Sequence, residues 1–221
     1  QFVEAGSYSP GVGDAFSIAG WGTPFYSNMR FSVDNPDGDQ NSTGDVMTFA
    51  HEEINGDFDK RVRVTSIQNS GFPADAWSRG GLMVRTGTNH FKASLHIVAG
   101  NPTTGGGANS VQFAGRPLDG QNYTIFGRNY SGVAANLPNQ WLRLRRVGDY
   151  FSAYVGTNGT SWTLIGERYQ EWPEKVFVGA YAAAGTEGSQ ATVGFSTYGN
   201  VPVSDITPPR LVSAGTIDKK L

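Results

Sequence analysis

The chain has 221 residues with 30 Gly, 11 Pro and no Cys, and only 16% of it is charged, which excludes a disulfide-stapled miniprotein and a charge-rich disordered tail. Seventeen Lys plus Arg stand against nineteen Asp plus Glu, a net charge of −2 that rules out affinity by general attraction to nucleic acid or anionic lipid. No run approaches the ~20 apolar residues of a membrane span, and one domain of this length buries ~70% of its unfolded surface without metal or disulfide support.

The opening Gln1-Phe2-Val3-Glu4 is neither an initiator methionine nor a signal peptide, so a processed product or an excised fragment is expected. Lack of cysteine fits an exported protein and a cytosolic one equally. Along the chain, clusters of Gly, Asn, Ser and Thr separate runs of five to ten residues that alternate apolar with polar, the signature of strands. Residues 34–45 come first as an acidic polar loop. In 58–67, Val62 and Val64 fall on one face and Arg61, Arg63 and Thr65 on the other. In 91–97, Phe91, Ala93, Leu95 and Ile97 point one way and His90, Lys92, Ser94 and His96 the other, which predicts one core face and one wet face.

Residues 100–109 and 127–140 read as further long loops. Strands at 141–145, 150–155 and 162–166 form a meander, with Asn158 and Gly159 supplying the positive φ of a tight turn between the second and third. Runs at 176–181 and 191–196 add two more strands, and no segment keeps helical spacing over three turns. Ten to thirteen strands are expected. The pattern predicts an all-β, two-sheet antiparallel β-sandwich over residues 1–203, ending where Pro208 and Pro209 deny backbone donors.

Seven segments carry a family resemblance: Gly56-Asp57-Phe58; the run from Ala76 through Trp77 to Arg85; His90; Trp141-Leu142-Arg143-Leu144; Tyr150 to Tyr154; Thr157 to Trp162; and Val176 to Gly179. In this order and spacing the chain resembles the concanavalin A-like (LamG-like) jelly-roll modules appended to bacterial glycan-active and surface proteins. The match covers roughly residues 6–200 and is weakest before Val46. It implies a jelly roll, a secreted or cell-surface setting and a multidomain parent. Residues 204–221 resemble a Pro-containing linker and the truncated start of a following Ig-like domain.

Trp141 and Trp162 read as packing anchors. Trp21, Phe25, Tyr26, Tyr123, Tyr130 and Trp172 lie among Gly, Pro, Asn and Ser, where rings could stack on sugars or simply pack. Trp77 follows a loop. Arg85, Arg143, Arg145 and the polar face at His90 and His96 would form one cationic surface for hydroxyl, carboxylate or sulfate groups, or a solvated face. His90 and His96 lie about 20 Å apart along a strand, too far to grip one metal. Asp34, Asp37, Asp39 and Asp45 offer hard oxygens for a calcium loop, without the Glu at position twelve of an EF-hand; a solvated acidic loop is the alternative.

No Glu-x-Asp-x-Glu strand aims paired carboxylates into a groove, and no Gly-x-Ser-x-Gly elbow is present. The reading is a noncatalytic carbohydrate-binding or adhesion module of a larger secreted bacterial protein, with Trp21, Tyr26, Trp77, Arg85, His90, Tyr130, Arg143 and Tyr154 on the ligand. Its partners would be a polysaccharide or cell-surface glycan and covalently linked neighbouring domains, with no nucleic acid and no membrane span. No cofactor is required, and a structural calcium is the one metal expected. The alternatives are a polysaccharide lyase or glycoside hydrolase on the same fold, and a spacer without ligand.

Overall fold

A computed structural model describes residues 3–7, 15–21, 32–34, 40–42, 47–70, 78–89, 92–100, 110–121, 124–128, 135–184 and 190–202. Fifteen strands and no helix occur among them, so no helix there is long and apolar enough to cross a membrane. The first sheet runs, in spatial order, β1 (Val3–Ser7), β5 (Thr48–Asn55), β14 (Lys175–Ala183), β7 (Arg79–Arg85), β8 (Ser94–Gly100), β9 (Val111–Arg116) and β10 (Thr124–Arg128). The second runs β13 (Thr163–Tyr169), β12 (Tyr150–Gly156), β11 (Gln140–Val147), β6 (Phe58–Ser70), β15 (Gln190–Asn200) and β2 (Ala15–Trp21). All pairings are antiparallel except β1 with β5. The strand number exceeds the expected range because short elements such as β3 (Ser32–Asp34) and β4 (Gln40–Ser42) lack an alternating run long enough to announce them. These two pair as a separate ribbon that overlaps the stretch read as an acidic loop.

The period-2 pattern decides which side chains meet between the sheets. Leu82, Val84, Leu95, Ile97, Phe113 and Val178 of the first sheet face Val62, Val64, Leu142, Leu144, Val193 and Phe195 of the second in one continuous core. Truncating such a side chain to Ala costs about 2–5 kcal/mol. Trp172, read as a loop aromatic, belongs to this core: it meets Phe151 edge-on at 5.0 Å and donates its indole N–H to the Pro117 carbonyl at 2.8 Å.

The second sheet has the expected inner and outer faces, but the first is buried on both. Met47, Phe49, Met83, Val98, Tyr181 and Ala183 form a second, smaller cluster on its outer side, and Ser94 and His96, expected to be wet, are buried there. Alternation marks which residues share a face and is silent on whether that face meets water. At one flank the two sheets close on each other. A Cβ at Gly127 of β10 would run into the Ile165 carbonyl of β13, and Arg168 stacks on Phe126 at 5.1 Å. The boundary expected at 203 and the linker and Ig-like start at 204–221 lie outside the described residues.

Candidate functional site

Antiparallel register aligns residues in rows across the outer side of the first sheet. One row is Glu53, Phe177, Arg85, Ser94 and Arg116; the next is His51, Gly179, Met83, His96 and Ala114; the third is Phe49, Tyr181, Gly81, Val98 and Gln112. Arg79 stands on the same face, two residues before Gly81. The sequence thus brings three guanidiniums, two imidazoles, a phenol and an amide onto one surface. Burial and, after it, the charges of Arg79, Arg85 and Arg116 lower the His96 pKa to about 3, so its ring is neutral at ordinary pH. The His96 and Tyr181 rings lie 5.5 Å apart.

These groups are not laid open. Arg85 is 0% exposed and donates to the carbonyls of Gly87, Asn89 and Lys92 at 3.2, 2.9 and 3.3 Å, so it holds the segment after its own strand in place. Arg146 does the same elsewhere, donating to the carbonyls of Gly148, Trp172 and Pro173. Buried carbonyls without donors cost free energy, and one planar fork satisfies several at once.

The outer side of the second sheet is different. In the meander β11–β12–β13, register places Val147, Tyr150 and Tyr169 in one row, Arg145, Ser152 and Glu167 in the next, and Arg143, Tyr154 and Leu164 in the third. Among the described residues, the exposed large apolar side chains are Leu118 and four from this face: Val147, Tyr150, Leu164 and Tyr169. Tyr150 is 59% and Tyr169 49% exposed, with their rings edge-on at 5.2 Å. Tyr169 donates its hydroxyl to Glu171 at 2.7 Å, and this bond is the main reason its pKa is raised to about 12.

Arg143 is the fixed point of this surface. Its guanidinium bonds both oxygens of Asp59, Nε to Oδ1 at 2.7 Å and Nη2 to Oδ2 at 2.6 Å. It also lies 4.9 Å from the Tyr154 ring and 5.6 Å from that of Trp162. Trp141 stacks on Arg61 at 5.4 Å, and Arg61 donates to the Gly159 carbonyl at 2.7 Å. Trp141 and Trp162 are partly buried and pack at the edge of the outer face, Trp141 against Arg61 and Gly159 and Trp162 against Arg143 and Gly156. The β12–β13 turn is fixed by Asn158, whose Oδ1 accepts from the Thr160 and Ser161 amides at 3.0 and 2.8 Å, with Gly159 at φ 75°.

Beside this turn a cleft of about 620 Å³ opens between it and residues 135–140. Val111, Ala135, Leu137 and Val155 give it apolar walls, together with the Trp162 indole and Gly156. Asn136, Gln140, Thr157, Ser161 and Thr163 supply amides and hydroxyls.

Of the residues singled out in the sequence, Arg143 and Tyr154 come together, while Arg85 lies on the other sheet, so the single cationic surface becomes two. Chain distance hides this, because alternation in β7 and β11 is identical whichever sheet they join. Trp21 ends β2 opposite Gln190. Asp34 ends β3 opposite Gln40. Tyr26, Trp77, His90, Tyr130, Asp37, Asp39 and Asp45 lie outside the described residues. Among the described residues no group of three His, Cys, Asp or Glu could hold a metal. Sequence reasoning missed Arg79, Arg116, Gln112 and Tyr181; their positions at even spacing from Arg85, Ala114 and Gly179 were the available signal. It also passed over Tyr169 and Asp59.

No family model matches the chain, and no curated protein matches it. Among solved structures it is similar to a functionally unknown protein from Saccharomyces cerevisiae, at 16% identity and a TM-score of 0.54 over 92% of this chain and 95% of that one. It is also similar to the kappa-carrageenase from Pseudoalteromonas carrageenovora, in complex with an oligotetrasaccharide of kappa-carrageenan, at 9% identity and a TM-score of 0.46 over 83% and 79% of the two chains. A legume lectin-like domain from Entamoeba histolytica aligns at 10% identity and a TM-score of 0.40 over 70% and 80%. The two-layer strand order and the likeness to the Saccharomyces protein agree on architecture: the chain is an all-β, two-sheet β-sandwich of the jelly-roll kind.

Proposed function

We propose that the protein is a noncatalytic carbohydrate-binding or adhesion module working within a larger secreted or cell-surface chain. The observation that carries this is the ring surface of β11–β13, where the exposed Tyr150 and Tyr169 stand at one end and Tyr154 and Trp162 flank the clamped Arg143 two rows away. Rings stack on the apolar faces of sugars, and Arg145 and Glu167 between them offer a donor and an acceptor to hydroxyl groups. Affinity gels and a glycan array with neutral and acidic polysaccharides test it. Retention of the wild type is expected, and Tyr150→Ala or Tyr169→Ala should each weaken it by about 1–3 kcal/mol with an unchanged melting temperature. No retention on any polysaccharide would leave the spacer reading standing. A structural calcium at Asp34, Asp37, Asp39 and Asp45 belongs to the same proposal, and a melting temperature that rises with calcium and falls with chelator supports it.

A second reading places a polysaccharide lyase on the outer side of the first sheet, where His96, Tyr181, Gln112 and the three arginines converge. There a guanidinium would neutralise a uronate carboxylate, His96 would take the C5 proton, and Tyr181 would protonate O4 as the C4–O4 bond breaks and a C4–C5 double bond forms. An imidazole with its pKa at about 3 is a weak base at neutral pH, and its burial bars a polymer, which is why binding is preferred. Unsaturated uronates released from polyuronates would reverse that preference.

A further inference from the structure

We propose that the cleft between residues 135–140 and the β12–β13 turn is a separate seat for one or two uncharged sugar units, distinct from the tyrosine surface. The proposal rests on the carbohydrate-binding reading but on a different set of side chains. Its volume of about 620 Å³ falls in the range of small-ligand sites. Among the described residues that line it there is no Asp, Glu, Lys, Arg or His. A charged ligand would leave water there without an opposite charge to meet it, whereas a neutral polyol finds amides and hydroxyls on one side and apolar walls on the other.

Two further features favour a sugar over a purely apolar guest. Trp162 contributes its indole to the wall, and its Nε1–H is buried with no hydrogen-bond acceptor, a donor whose desolvation the fold leaves uncompensated. The rim groups also come from backbone that is already fixed. The Asn136 amide donates to Gln140 Oε1 at 3.0 Å, and Gln140 Nε2 donates to the Trp141 carbonyl at 3.2 Å. Ser161 sits in the Asn158 turn. Arg143 lies on the same indole and is neutralised by Asp59, and Arg63, which donates to the Pro138 carbonyl and to Asn139 Oδ1, holds the 135–140 segment without being among the lining residues.

The test is ligand-observed NMR and calorimetry on the whole chain with glucose, galactose, mannose and xylose, and with glucuronic acid as the charged counterpart. At least one neutral pyranose should bind in the millimolar range, and glucuronic acid at least about tenfold more weakly. Thr157→Trp, at an exposed lining position, should fill the cleft and abolish sugar binding with the melting temperature retained. Asn136→Ala should weaken it about five- to tenfold. Tyr150→Ala should leave it unchanged while lowering polysaccharide retention. If the wild type retains polysaccharide but binds no neutral pyranose, or binds it equally after Thr157→Trp, the cleft proposal falls and the tyrosine surface stands. Preference for glucuronic acid overturns the uncharged class. Loss of both activities in the wild type overturns both readings.

Discussion

Asp59 and Arg143 form a bidentate pair in which the guanidinium is mostly covered and the carboxylate is 31% exposed. Asp59→Asn should therefore cost about 1–2 kcal/mol, less than a fully buried pair, because water still screens one partner. A double-mutant cycle with Arg143→Gln, followed by chemical denaturation, measures the coupling, and additive losses would show that the two side chains stand independently. His96 sets a pH dependence. The unfolded chain takes up its proton near the ordinary value of 6.5, while the folded chain waits until about 3. Between those values the unfolded state binds more protons, so stability falls as pH drops through that window, by ~1.4 kcal/mol per pH unit, and is flat above it. Melting temperatures from pH 7 to pH 4 should decline less steeply in His96→Gln than in the wild type. Arg143 was legible as a polar-face residue of an alternating strand, and Tyr154 as part of the resembling segment Tyr150 to Tyr154. The Arg143 partner Asp59, 84 positions away, was not, because nothing local to either segment encodes that distance.

The turn between β12 and β13 shows what a short motif can settle. Asn158 and Gly159 announced a positive-φ hairpin, and the structure has one. A Cβ at Gly159 would also lie 2.7 Å from the Trp141 ring. Gly159→Ala should cost about 2–4 kcal/mol, combining left-handed strain with overpacking. Gly120, at φ 68° with open space around it, offers the comparison: Gly120→Ala should cost about 1–2 kcal/mol from strain alone. Equal losses in thermal unfolding would mean that Trp141 yields freely. The meander itself was readable, since consecutive strands joined by tight turns can only be neighbours. The cleft was not, because residues 135–140 carry no alternation and their placement over Val155 and Trp162 comes from tertiary packing.

At the scale of the molecule, strands were predictable and their division between two sheets was not. β7 and β11 have the same period and opposite destinations, and β14 lies between β5 and β7 only through long-range pairing. The flank where β10 meets β13 is a product of that division. Gly127→Ala should push the Ile165 carbonyl away, part the two edges and destabilise the sandwich by about 1–3 kcal/mol. It should also increase self-association on warming, since parted edges expose unpaired backbone groups. Light scattering alongside calorimetry reads both, and an unaltered profile would show that the seam tolerates a methyl group.

The grip on Arg143 has a thermodynamic corollary. A long cationic side chain usually forfeits torsional freedom when it meets a ligand. Here two carboxylate oxygens and two aromatic planes have already removed that freedom in the unliganded protein. The neighbourhood greets an incoming molecule stiff, so its association should carry a small entropic penalty and leave backbone and rotamers as they were.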